Sequence, residues 1–103
     1  MSAKIEIYGI PETVGRCPAC HSIRKTLDEE NIPYAFYDVI IPNENEVGFV
    51  YDRDRITEAS KRVGSYPSLA LRYPIVFLNN QRIRNKSHLL EQLNILGYNL
   101  DEE

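Results

Sequence analysis

No apolar run in this 103-residue chain approaches the roughly 18 residues that a membrane-spanning helix needs, so no membrane role is expected. Excess positive charge is also missing: 12 Lys and Arg stand against 15 Asp and Glu, for a net charge of −3. That balance provides neither a basic stripe for nucleic acid nor a polybasic lipid anchor. Met1-Ser2-Ala3-Lys4 leads straight into a strand pattern without the apolar core of a signal peptide, so the expected setting is cytoplasmic and reducing. Methionine occurs only at position 1 and cysteine only as Cys17 and Cys20. Two close cysteines in a reducing compartment point to catalysis or metal binding rather than to a structural staple. Repeats, linkers and low-complexity tracts are absent as well, so residues 1–103 are expected to form a single, monomeric domain.

What is present is organised around Arg16-Cys17-Pro18-Ala19-Cys20-His21. Lys4 to Tyr8 alternates apolar and polar residues with the period of a strand. Cys20, Ile23 and Leu27 then recur at helical spacing, predicting a helix over 18–30 that stops near Asn31, ahead of Pro33. Pro18 suits the first helical turn, where its missing N–H has no partner to lose. Tyr34 to Val39 reads as a second strand, so strand, helix and strand make a βαβ unit with a parallel pair. Residues 40–54 read as a long loop folded back on the body. Ile56, Ala59, Ser60 and Val63 mark a second helix, with Gly64 as its C-terminal cap. Ile75 to Leu78 is a buried central strand, and Asn79-Asn80 is a tight turn into an antiparallel partner over 81–84. Ser87 is the expected N-cap of a third helix striped by Leu89, Leu93 and Leu96. The tail from Tyr98 is expected to fray. The order β-α-β-α-β-β-α predicts an α/β domain, a mixed four-stranded sheet with three helices on its two faces.

The placement of the dithiol decides its chemistry. Cys17 falls at a helix N-terminus, where free N–H groups and the macrodipole favour a thiolate. An unperturbed thiol, with a pKa of about 8.5, is only about 3% ionised at neutral pH. Helix-end effects of roughly 0.3–2 kcal/mol are worth about 0.2–1.5 pKa units, so Arg16 or a hydrogen bond from Cys20 is needed for a larger shift. Cys17 is thus the expected nucleophile. Cys20 is the expected resolving thiol, which closes a redox-active Cys17–Cys20 disulfide. Arg16 either binds a substrate carboxylate or is an ordinary solvated arginine. His21, four residues after Cys17, shares its helix face and either adds charge or is a plain surface residue. Tyr8 either walls the site or packs in the core.

Tyr8-Gly9, Arg16-Cys17-x-x-Cys20, Tyr73-Pro74-Ile75-Val76-Phe77 and the segment 83–90, in this order and spacing, resemble the thioredoxin superfamily. Within it the chain is similar to glutaredoxins, above all the small phage-encoded ones. The resemblance implies the thioredoxin-like fold and thiol–disulfide exchange. It also implies a cis Pro74 facing the dithiol, with the Tyr73 backbone available to a substrate chain, and a glutathione or anion site that includes Ser87. Pro67 competes with Pro74 for the cis role but lies seven residues earlier. Implied partners are ribonucleotide reductase as the protein disulfide to be reduced, and glutathione or thioredoxin reductase as the source of electrons. No bound cofactor or metal is implied. The chain departs from the family at Ala19, where a tyrosine is common. It departs again at Arg84-Asn85 and Ser87, where a glycine pair and an acidic residue hold the γ-glutamyl end of glutathione. Weakened glutathione binding is the expectation.

Two other classes fit parts of the sequence. Cys17-x-x-Cys20-His21 matches the attachment motif of c-type haem, but the missing export signal and the lack of any methionine beyond Met1 count against it. A zinc site from Cys17, Cys20, His21 and His88 has the ligand types without a second compact pair. A thioredoxin-fold binding module with an inactive dithiol remains the alternative to an enzyme.

Overall fold

The computed structural model describes residues 3–11, 17–42 and 48–100. Strand β1 spans Ile5–Gly9, helix α1 Pro18–Glu29 and strand β2 Ala35–Asp38. A hairpin of β3 (Ile40–Pro42) and β4 (Phe49–Tyr51) leads into α2 (Arg53–Val63), followed by β5 (Ile75–Leu78), β6 (Gln81–Ile83) and α3 (Lys86–Ile95). The main sheet runs β2-β1-β5-β6, with β1 parallel to β2 and antiparallel to β5. This is the expected mixed four-stranded sheet, interrupted once in sequence by a separate two-stranded sheet.

Strand alternation divides the core in two. Ile5, Ile7, Val76 and Leu78 point to one face, where Ile23 and Leu27 of α1 and Leu89, Leu90 and Leu93 of α3 cover them. Tyr8, Ile75 and Phe77 point to the other face and meet Ile56 and Ala59 of α2. Helix α2 has a complete set of end signals. The Asp52 carboxylate accepts from Arg55 N at 3.2 Å, Lys61 and Arg62 sit in the last turn, and Gly64 follows in the left-handed region at φ 80°. Asn79 and Asn80 both have positive φ, the conformation their hairpin turn demands.

Three expectations need correction. Residues 40–54 are not simply a loop: Ile40 pairs with Tyr51, Ile41 with Val50 and Pro42 with Phe49. Each strand has three residues, too few to show an alternation, and a proline in a run argues against a strand. The cap of α3 is Asn85 rather than Ser87. The Asn85 carboxamide oxygen accepts from His88 N at 2.8 Å, and Ser87 lies within the first turn. The tail is also tied down as far as Leu100. Gly97 at φ 108° and the bond from Tyr98 N to Leu93 O end α3 in a Schellman arrangement. Asn94 then accepts from Leu100 N at 2.8 Å and donates to Leu100 O at 3.0 Å, which holds the Leu100 side chain in the core.

A charged network fastens α2 to the sheet. Arg62 forks onto buried Glu6 with bonds of 3.0 and 3.1 Å, donates to Tyr8 Oη at 3.1 Å and lies 3.8 Å from the Phe77 ring centroid. Tyr37 also donates to Glu6, at 3.3 Å. The Arg62 hydrogen bonds, working against burial, hold the Glu6 carboxyl below its ordinary value of 4.5. A carboxylate with a depressed folded pKa stabilises the fold fully above its unfolded value and loses that contribution as pH falls through the folded one. Glu6→Gln is therefore expected to cost about 1–3 kcal/mol at pH 7, as for a lost charged hydrogen bond. Urea denaturation at successively lower pH should show the gap between variant and parent closing below about pH 4.5.

Candidate functional site

Helix α1 begins where β1 ends. Cys17 is its N-cap, with Sγ accepting from Cys20 N at 3.3 Å, while the Cys17 carbonyl takes the first helical hydrogen bond from His21 N at 3.0 Å. Pro18 occupies the first turn and is exposed, as is Ala19. The two sulfurs form a disulfide that joins unlike environments. Cys17 is partly exposed, whereas Cys20 is 2% exposed on the face of α1 that packs on the sheet.

Gly9 makes this packing possible. A β-carbon at Gly9 would lie 2.9 Å from Phe36 Cζ and 3.0 Å from Cys20 Sγ, closer than a side chain tolerates. Tyr8 pairs with Ile75, so the next pair along sets Gly9 opposite Pro74. Continuing the alternation of β5, Pro74 falls in phase with Val76, on the α1 face. Backbone register thus brings Gly9, Pro74 and Cys20 to one end of the sheet. The Tyr73–Pro74 bond is cis, and so is Tyr66–Pro67.

The other expected site residues separate. Arg16 lies outside the described residues. His21 is exposed on the outer ridge of α1, where it shares a shallow depression with Arg24, Lys25, Asp28 and Glu29. Tyr8 points away from α1 into the opposite core. Burial and its hydrogen bond to the Glu58 carboxylate push its phenol up to about 12, so it serves as a neutral hydrogen-bond donor. Tyr73 also faces the α2 side. Burial raises its pKa, and its hydroxyl is buried with no hydrogen-bond partner among the described residues. Ser87 is exposed in the first turn of α3, beside Lys86, whose ammonium donates to Ser22 of α1 at 2.9 Å. Asn85 has φ −163°, extended backbone open to any residue, so its side chain brings no backbone strain at the start of α3. Among the described residues, no three His, Cys, Asp or Glu side chains are grouped to hold a metal ion, and no helix is long and apolar enough to cross a membrane.

Sequence reasoning missed the role of Gly9, although Tyr8-Gly9 was singled out, and it missed Lys86 and Asn85. A short polar side chain just before the Lys86–Ile95 helix was the available signal for the cap.

No family model matches the chain. Over 98 residues it is 47% identical to an uncharacterised 11.8 kDa protein of Enterobacteria phage T4, from the Gp55-nrdG intergenic region, covering 95% of this chain and 92% of the relative. The chain belongs to that protein's family. Among solved structures it is similar to the crystal structure of glutaredoxin 1 from Francisella tularensis complexed with cacodylate. The TM-score is 0.56 at 17% identity, over 92% of this chain and 96% of the other. The fold is the glutaredoxin fold, with the Cys17-x-x-Cys20 pair at the start of its first helix.

Two stability measurements check this arrangement. Gly9→Ala should destabilise the oxidised protein by about 1–3 kcal/mol, as overpacking does; an unchanged urea midpoint would mean that β1 and α1 have room to spare. Asn85→Ala should cost about 1 kcal/mol, and Ser87→Ala clearly less, if the cap is where the structure has it.

Proposed function

We propose that this protein is a glutaredoxin-type thiol–disulfide oxidoreductase that reduces protein disulfides, with Cys17 as nucleophile and Cys20 as resolving thiol. The asymmetry of the pair carries this reading: one sulfur is accessible at a helix N-terminus with an N–H directed at it, and the other is buried beside Gly9. In the reduced protein the N–H groups of the first turn favour a thiolate at Cys17.

That thiolate attacks one sulfur of a target disulfide. A bond forms between Cys17 and the target, the target's S–S bond breaks, and the departing sulfur leaves as a thiolate that takes a proton. Cys20 then loses its proton and attacks Cys17 Sγ. The mixed disulfide breaks, the second target sulfur leaves, and the Cys17–Cys20 disulfide closes. Two electrons have passed to the target. Two thiols of a reductant return them by the reverse exchange, the first forming a mixed disulfide and the second releasing it.

Glutathione is the proposed reductant, and thioredoxin reductase is the alternative. Lys86 and the start of α3 supply positive character near α1 for an anionic tripeptide. Arg84 and Asn85, in place of the family's glycines, narrow the approach with their side chains. Ribonucleotide reductase is the proposed target. The resemblance to phage glutaredoxins supports it, and the Gp55-nrdG location of the T4 relative is in keeping with a role in nucleotide metabolism.

Single-cysteine variants provide the test. Cys17→Ser should abolish reduction of a disulfide substrate with either reductant. Cys20→Ser should lose protein-disulfide turnover yet accumulate a mixed disulfide visible by mass spectrometry. Equal trapping by the two variants would overturn the assignment of roles.

A further inference from the structure

An open concavity lies on the α2 side of the sheet. It is an open groove of about 810 Å³ whose lining includes Ile10, Phe49, Tyr51, Arg53, Leu71 and Tyr73. The β3–β4 hairpin forms one wall and the segment before Pro74 another. Binding pockets of about 300–1,000 Å³ accept drug-sized molecules, so this one has room for more than one side chain. Phe49 is 56% exposed and Tyr51 67%, two residues apart and so on one face of the hairpin. A hairpin that leaves most of its aromatic surface in water is not there chiefly to fill a core, and contiguous exposed apolar surface of this kind marks an interaction site.

We propose that this groove docks the polypeptide flanking the target's disulfide, taking a bulky apolar side chain between the hairpin and Leu71 and a carboxylate at Arg53. The inference rests on the oxidoreductase reading and names its substrate class. Three observations select this occupant. The groove begins at the same end of the sheet as the redox site, because Ile10 follows Gly9 and Tyr73 precedes Pro74. A chain held at the dithiol therefore reaches the groove within a few residues. Arg53 lines the groove exposed, with no anionic partner among the described residues. The Tyr73 hydroxyl, on the same wall, is buried without a hydrogen-bond partner among the described residues, a cost that a substrate carbonyl would relieve once the wall adjusts to a bound chain. A second copy of this chain is the competing occupant. The other strongly exposed aliphatic side chain, Ile95, lies on α3 across the sheet, so its insertion would be a head-to-tail contact that does not close a dimer.

The experiment uses the full chain, reduced beforehand so that no reductant enters the result. Three substrates are compared: cystine, a disulfide-looped peptide bearing Phe and Glu beside its first cysteine, and the same peptide with Ala at both places. In single-turnover reduction, the Phe/Glu peptide should half-saturate the rate at a concentration about ten-fold below that of the Ala peptide, a preference worth about 1.4 kcal/mol. The double variant Phe49→Ser/Tyr51→Ser should bring the two peptides together, and Arg53→Ala should remove the part owed to Glu. Both act on exposed side chains, and near-ultraviolet circular dichroism checks the fold. Equal half-saturating concentrations for the two peptides with wild type, while cystine is reduced, would overturn the groove and leave the oxidoreductase standing. Failure to reduce cystine and both peptides would overturn the oxidoreductase reading, and the groove's role with it. A shift from dimer to monomer in the double variant, with peptide preference intact, would assign the patch to self-association instead.

Discussion

The contact at Gly9 is the constraint on which the functional end of the molecule depends. The last residue of β1 has no side chain, and Cys20 Sγ and Phe36 Cζ occupy the space a β-carbon would need. This close approach lets the first turn of α1 lie directly over the end of the sheet. Its free N–H groups are thereby directed at Cys17, while Cys20 faces inward. The same residue pairs with Asp38 on one side and falls opposite Pro74 on the other, so one backbone position sets β2, α1 and the Pro74 segment relative to each other. A larger side chain would displace the helix start, and with it the difference in exposure that distinguishes the two thiols.

The opposite face is held by charge as much as by apolar packing. Glu6 on β1 and Arg62 at the end of α2 are 56 residues apart, joined by a two-pronged bond under the cover of Phe77 and Tyr37. A buried pair of this kind gains little over an apolar replacement, but losing one partner is costly because the other charge remains. It therefore fixes where α2 sits more than it adds to overall stability. Tyr8 belongs to this network, donating a hydrogen bond to Glu58, and takes its place away from the dithiol.

The features carried by local pattern were legible in the sequence: the βαβ unit, the apolar 75–78 strand, the Asn79-Asn80 turn, and the cysteines flanking Pro18 at a helix start. What escaped was either too short or too distant in sequence. Three-residue strands such as Phe49-Val50-Tyr51 have no room for a period. The Asn94 carboxamide that holds Leu100, and the Arg62 fork onto Glu6, are side-chain bonds whose partners no periodicity can identify. Ser87 and Asn85 are both good capping residues, and only the backbone shows which one precedes the first helical turn.

The two faces meet at a single peptide unit. Pro74 keeps the phase of Val76 toward α1 and the dithiol, while Tyr73 packs with the α2 cluster and lines the groove. A chain lying across this end of the sheet would present its sulfur to one side and its flanking side chains to the other. The hairpin that forms the groove wall shares no strand with the main sheet; Val39, between them, donates to Gly9 O and accepts from Asp52 N just after the hairpin. Its side chains can therefore change without moving α1. In such an arrangement the residues that choose a target are separate from those that carry out sulfur exchange. On the proposed reading, selectivity resides in Phe49, Tyr51 and Arg53, while the helix start and the glycine beneath it set the chemistry.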